Sequence, residues 1–350
     1  MSNYSWSNNK STTKGWSCGA INATGLVILA AENAGRVYIT TDGGSSWTET
    51  QPKGAADGNW YSCAIDDDGS HMIIAEFPGK LYVSTNSGSS WSEVTPAGAG
   101  SKDWGAVCCD SDGSVMCAAE ITYTGALYVS TDSGSSWSAA KYPPGGTTQG
   151  KYYGLDCDSD GSVIVVCDYT PSYVAASRGR VWISTDTGSS WTESRPDGDT
   201  NYMWADVACD ADGSHFIACA QEKRYDANGG RAYISTNSGS SWSEVRPAGD
   251  VSKHWGFCAI NLDGSMQMLA VGITASSASA YAGRIYSSVD TGANWVEERP
   301  EGDVDEGWFD IEIGGEGYKA LAMNDTATDP IFVSIREGVG DFMPILLHLL

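Results

Sequence analysis

LYVSTNSGSSWSEV, residues 81–94, returns as LYVSTDSGSSWSAA at 127–140, VWISTDTGSSWTES at 181–194 and AYISTNSGSSWSEV at 232–245. VYITTDGGSSWTET (37–50) and IYSSVDTGANWVEE (285–298) bring the copies to six. Their tryptophans, Trp47, Trp91, Trp137, Trp191, Trp242 and Trp295, are 44, 46, 54, 51 and 53 residues apart. Each copy carries β-branched and aromatic residues, then turns through Asp or Asn, Gly and Ser. That pattern is a short strand, a tight turn and the start of another strand.

A second phrase lies between the copies. It starts at Trp16, Trp60, Trp104, Tyr152, Trp204, Trp255 and Trp308. It runs into an acidic glycine turn, as in CAIDDDGS (63–70), CCDSDGS (108–114), CDSDGS (157–162) and CDADGS (209–214), and an apolar stretch such as HMIIAE (71–76) follows. Each unit therefore reads as four strands. Strand A starts near the second-phrase aromatic, and strand B follows the acidic turn. Strand C is the LYVST stretch, and strand D begins near the repeat tryptophan. Four-stranded units of about 45–50 residues are the sequence mark of a propeller.

Six good copies of the first phrase face seven of the second. The seventh unit ends in IFVSIREGVGDF (331–342), with Arg336 in the acid's place and no tryptophan. Ser5-Trp6-Ser7, at the other end of the chain, resembles the missing SSWS. The expectation is an all-β protein: one seven-bladed β-propeller of four-stranded antiparallel blades over residues 1–342, its ring closed by the N-terminal strand. The rival is that Phe342-Met343-Pro344 supplies that strand. Residues 343–350, MPILLHLL, form an apolar C-terminal tail. It would cover the closure blade or dock onto a neighbouring subunit and so build a homo-oligomer.

The phrase Ser/Thr-x-Asp-x-Gly-x-x-Trp resembles the Asp-box, or BNR repeat, of sialidases and related propellers. It occurs in register at Asp42/Trp47, Asn86/Trp91, Asp132/Trp137, Asp186/Trp191, Asn237/Trp242 and Asp290/Trp295. In that family the boxes are peripheral and structural, so the resemblance implies a fold and not a reaction. Sialidases carry an Arg in a Phe-Arg-Ile-Pro-like segment before the first blade, and two more Args for the sialate carboxylate. Residues 1–16 contain no Arg. The Arg-Pro pairs at Arg195, Arg246 and Arg299 recur at one repeat position, which reads as architecture. A further resemblance is to the single seven-bladed propellers of photosystem II assembly factors, which are non-catalytic. The resemblances imply a non-catalytic binding or assembly module, with a sialidase-like glycoside hydrolase as the alternative.

Net charge is −24 and the pI about 4.3. This excludes a basic phosphate-binding face, so no nucleic-acid partner is expected. No stretch is long enough to insert in a membrane, and the first residues show no signal peptide. Sequons at Asn3, Asn9, Asn22 and Asn324 leave the compartment open. The expected partner is a glycan or a protein, with no cofactor beyond possible calcium.

The B–C loops vary where the boxes do not. They are short at Glu32–Gly35 and Glu76–Gly79, and lengthen to Asp168–Gly179, Gln221–Gly230 and Gly272–Gly283. Variable loops on a rigid frame are where ligands bind. Tyr123, Tyr169, Tyr173, Arg178, Lys223, Arg224, Tyr225 and Tyr281 lie on them. They are the candidate ligand-binding residues, since Tyr pairs an apolar ring with a polar tip. Glu32, Glu76, Glu120 and Asp168 end strand B, and Arg36, Lys80, Arg180, Arg231 and Arg284 open strand C. Cross-strand ion pairs between the two series are expected. Asp156, Asp206, Asp310 and Glu312 fall on strand A, which lines the channel of a propeller; hydrogen-bonded acids are favoured there over a metal. The second-phrase tryptophans are expected to pack between blades.

The ten Cys mostly replace Val, Leu, Ile or Ala of other units, and so read as buried hydrophobes. Cys157/Cys167 and Cys209/Cys219 flank their turns symmetrically and remain possible disulfides. The four His form no catalytic or metal constellation, and no catalytic residue is assigned.

Overall fold

Each repeat unit is one antiparallel sheet in the computed structural model. The structure describes residues 3–11, 15–96, 98–122, 125–139, 141–143, 151–168, 179–198, 202–223, 230–249, 253–272, 283–303, 307–324 and 330–336. Blade one runs Trp16–Ile21, Ile28–Glu32, Val37–Thr40 and Thr48–Thr50, in spatial as in chain order. Blade four repeats this with Tyr152–Cys157, Ile164–Asp168, Val181–Ser184 and Thr192–Ser194. The third sheet has three named strands, Trp104–Cys109, Met116–Glu120 and Leu127–Ser130. Its fourth position is held by Ser138, whose N–H donates to Val129 at 2.8 Å, and by Lys141, which bonds Leu127 in both directions. The result is an all-β, seven-bladed propeller.

Blade seven joins the two ends of the chain. Trp308–Ile313, Lys319–Asn324 and Pro330–Arg336 are its inner strands, and Tyr4–Ser11 pairs antiparallel with the last of them. N-terminal closure is therefore the observed arrangement. Trp6 sits opposite Ser334 and Tyr4 opposite Arg336. Trp6 also occupies the place of a repeat tryptophan. In blades two and five, Trp91 and Trp242 donate their indole N–H to Thr50 at 2.7 Å and Ser194 at 2.8 Å, each on the preceding blade's outer strand. Trp6 does the same to Glu298 Oε2 at 3.2 Å. The other Glu298 oxygen accepts the Asn3 N–H at 2.8 Å and the Ser287 hydroxyl at 2.7 Å. A buried carboxylate thus clasps the closing strand to blade six.

The core lies between blades. Seven apolar clusters each join two neighbouring sheets. In one, Leu29 and Ile39 of blade one meet Trp60, Met72 and Ile74 of blade two. In the cluster at the seam, Trp16 and Ile28 meet Leu321, Met323 and Ile331. Sheets that bury one face against each neighbour need near-continuous apolar B strands, and Met72–Glu76 and Ile164–Asp168 are buried throughout. The second-phrase tryptophans are interblade residues, as expected. Trp60 and Trp308 also donate to Gly35 at 2.9 Å and Gly283 at 3.1 Å, carbonyls at the end of the previous blade's B–C hairpin.

The C–D turns of the repeat use their residues locally. Ser130 is 1% exposed; its Oγ accepts the Gly134 N–H at 2.9 Å and donates to Asp132 at 2.9 Å. Asp132 accepts the Ser136 N–H at 2.7 Å. These bonds hold the Asp132 carboxyl below its usual range, the Ser136 hydroxyl contributing most. The residue before the turn glycine is also left-handed, at φ 54° for Ser87 and Ser133, which the sequence pattern does not announce. Ser130→Ala removes an acceptor from a buried N–H and should cost about 1–2 kcal/mol. A urea denaturation midpoint equal to wild type would show the hydroxyl is dispensable.

The A–B turns link into a closed backbone circuit around one mouth of the channel. Ala23 N–H donates to Asp67, Asp67 to Ser111, Ser111 to Ser159, and Ser159 to Ala211, at 3.3, 3.1, 3.2 and 2.9 Å. Ala211 continues to Leu262 at 2.9 Å and Leu262 to Gly315 at 3.0 Å; Glu316 returns to Ala23 at 3.1 Å. The first turn acid is buried within it. Asp110 and Asp158 accept from Val115 and Val163 N–H at 3.0 and 2.9 Å. Asn22 replaces the acid in blade one and accepts Val27 N–H at 2.9 Å, so this sequon is occupied structurally.

Candidate functional site

Strand A alternates its side chains between the sheet faces and the channel. Asp156 and Glu312 line two cavities along the channel, of about 150 and 170 Å³, with Ile21, Ile65 and Cys109; Asp206 lines the larger of the two, and Asp310 lies on the same strand position of blade seven. Such volumes hold a few waters and fall below the ~300 Å³ where small-molecule pockets begin. The three aspartates each reach the next blade. Asp156 accepts from Cys209 N–H at 2.9 Å, Asp206 from Cys258 N–H at 2.9 Å, and Asp310 from Gly19 N–H at 2.7 Å. Ser62 plays this part for Val107 at 3.1 Å. Their first role is to tie blades together.

Burial pushes these carboxyls up. Asp206 rises to about 8 and Asp156 to about 6, with backbone donors opposing the shift. Asp310 is raised by burial too, and Glu312 is raised well above the glutamate range by burial and by the other three acids.

The expected B–C ion pairs are corrected by the structure. Arg180, Arg231 and Arg284 turn to strand D, meeting Glu193 at 2.7 Å, Glu244 at 3.2 Å and Glu297 at 3.7 Å. Lys80 likewise meets Glu93 at 3.4 Å. The reason lies in the hairpin. Glu32 is drawn to the backbone, accepting the Arg36 N–H at 2.9 Å, which leaves the guanidinium to face Asp57 at 2.9 Å and Glu49 at 3.7 Å. Glu76 and Glu120 pair instead with Lys53 and Lys102 of the D–A loops, the latter at 3.2 Å. The Arg-Pro residues complete the strand D clusters: Arg195 lies 2.9 Å from Glu193, and Arg299 2.8 Å from Glu297. These guanidiniums sit on outer strands of different blades.

Cys157 lies opposite Ile164 and Cys167 opposite Gly154; Cys209 faces Phe216 and Cys219 faces Asp206. Neither flanking pair is bridged, and all ten thiols are free. Cys108 and Cys117 are the pair that stands directly opposite. Native protein should resist alkylation at its nine buried cysteines, and denatured protein should accept ten labels. Fewer labels on the denatured, unreduced chain would reveal a disulfide.

Asp210, Asp212 and His215 have ligand atoms within 4.8 Å of one another. Asp210 already accepts from His215 N–H at 2.9 Å and Ser214 Oγ at 3.2 Å, so the group closes its turn. The His215 ring Nδ1 also lies 2.6 Å from Asp210 Oδ2, and His71 Nδ1 repeats this ring contact with Asp66 at 2.7 Å. Tyr123, Tyr169, Tyr173, Arg178, Arg224, Tyr225 and Tyr281, and the tail 343–350, lie outside the described residues. Among the described residues, no helix is long and apolar enough to cross a membrane.

The profile of the family described as "Sortilin, neurotensin receptor 3" (Sortilin-Vps10) matches residues 79–229 and 125–259, together just over half of the chain. The chain belongs to the Sortilin-Vps10 family. A search of the curated proteins finds no match. Solved structures share the fold over nearly the whole chain. "YCF48 bound to D1 peptide" aligns with TM-score 0.65 and 17% identity, over 96% of both chains. YCF48 from Cyanidioschyzon merolae gives 0.65 and 15%, over 95% of this chain and 98% of that one. A GH74 xyloglucanase from Xanthomonas campestris gives 0.66 and 16%, over 95% of this chain but 54% of the enzyme. At these identities the likeness is one of fold.

Proposed function

We propose that the chain is a non-catalytic Asp-box propeller that recognises a peptide or glycan, or serves as an assembly unit, through its B–C/D–A loop face. The observation that carries this is that, among the described residues, most of the charged groups the repeat places together already have structural partners. Turn acids close turns, the three channel aspartates accept from neighbouring strands, and the Arg-Pro guanidiniums pair with strand D glutamates. The binding role falls to the loops that break the repeat, with Tyr123, Tyr169, Tyr173, Arg178, Arg224, Tyr225 and Tyr281 as contacts. A peptide is favoured over a glycan, since a propeller of this size is seen with a peptide bound.

Displayed-peptide selection and a glycan array, run with and without calcium, test the reading. Selected ligands that bind the intact propeller and are not turned over support it. Hydrolysis of aryl glycosides, sialosides included, would replace it with the glycoside hydrolase.

A further inference from the structure

The two blades that meet at the closure seam depart from the repeat at one turn position. After the A–B glycine, five blades carry serine: Ser70, Ser114, Ser162, Ser214 and Ser265. Blade one has Leu26 and blade seven has Tyr318, which are 47% and 44% exposed. Ile335, 61% exposed, replaces the threonine that follows strand C in most blades, such as Thr85 and Thr131. These are three of the four large apolar side chains exposed among the described residues. They are neighbours. Ile335 pairs with Lys319, and Arg336 N–H donates to Tyr318 at 2.9 Å. Lys319 packs against Gly25 and Gly43 across the seam, and Gly43 N–H donates to Leu26 at 2.9 Å.

We propose that this patch is the docking site of the chain's own C-terminal segment, Met343–Leu350. The chain leaves blade seven at Arg336, beside Ile335, and six residues lead to Met343. Six residues reach up to about 20 Å, enough to return across one blade boundary. The segment's MPILLHLL offers aliphatic side chains to an aliphatic and aromatic surface, and its burial there removes two exposed apolar surfaces from water. A second copy is the poorer occupant. The tethered segment acts at an effective concentration near millimolar, and two chains of charge −24 repel. The segment is then a second latch on the ring, set beside the N-terminal strand.

Three proteins test this against the full chain: the double variant L26S/Y318S, a chain ending at Phe342, and the two changes combined. Serine is the residue five other blades carry there, so the double variant keeps the turn. Each single change should lower the melting temperature by about 3 °C, and the combination no further. Truncation should also speed amide exchange at residues 25–27 and 317–319, with all four proteins monomeric by light scattering. Additive melting shifts, or unchanged exchange after truncation, overturn the proposal. A full-length dimer that truncation dissociates overturns it too, by giving the patch to a second copy.

Discussion

Deletion of residues 1–14 should lower the melting temperature by about 10 °C and expose a sheet edge. The strand contributes Tyr4, 2% exposed, whose hydroxyl donates to Gly317 at 3.2 Å, and the half-buried Trp6. Loss of two such aromatics costs on the order of 5 kcal/mol, and a chain of this size shifts by about 2 °C per kcal/mol. The bare strand Pro330–Arg336 then offers unpaired backbone groups, so the truncated protein aggregates on heating. A finer test isolates the clasp. Glu298→Ala leaves the Asn3 and Trp6 donors and the Ser287 hydroxyl without their acceptor and should cost about 2 kcal/mol. In a double-mutant cycle with Trp6→Ala the two losses should be less than additive. Scanning calorimetry reads both. Unchanged melting in the deletion would mean the N-terminal strand does not close the ring.

Stability should fall as pH rises from 5 to 8. Asp206, Asp156, Asp310 and Glu312 are raised in the folded channel above their unfolded values, the first to about 8 and the second to about 6. The folded state therefore binds more protons than the unfolded state across this window. By linkage, unfolding free energy then decreases with pH, and the channel contribution is fully present only below the unfolded carboxyl range. The exposed turn acids act in the opposite sense. Hydrogen bonds from Ser46 and Thr40 lower Asp42 to about 2, so its contribution is lost as pH drops below about 4. The melting temperature should peak between these limits. Asp206→Asn removes the most shifted of the three aspartates and should flatten the fall between pH 5 and 8. An equal slope in wild type and variant would place the titration elsewhere.

Much of this was readable beforehand because the chain states its structure many times. Turn chemistry, strand order and blade number follow from repeats, and Ser5-Trp6-Ser7 was recognisable because Trp6 fills a repeat tryptophan's place. The ion pairs were not. Sequence spacing puts Arg36 near Glu32, but the carboxylate satisfies a backbone N–H, and only the hairpin's geometry sends the guanidinium to strand D. Symmetry about a turn likewise suggested Cys157 with Cys167, while the A–B turn pairs Cys157 with Ile164 and the unbroken register from there sets Cys167 opposite Gly154. The clasp at Glu298 gave no local signal, since its partners Asn3 and Trp6 stand almost 300 residues away. Loop function was legible only as departure from the repeat.

The most direct test of the binding account is a loop-face substitution read by titration calorimetry. The variant carries Ser at Tyr169, Tyr173, Tyr225 and Tyr281, and is titrated with a peptide or glycan selected on the wild-type propeller. The account predicts a loss of binding by at least tenfold at an unchanged melting temperature. Full affinity in that variant, with binding lost instead on substitution of Asp206 or Glu312, would contradict it and move the site to the channel.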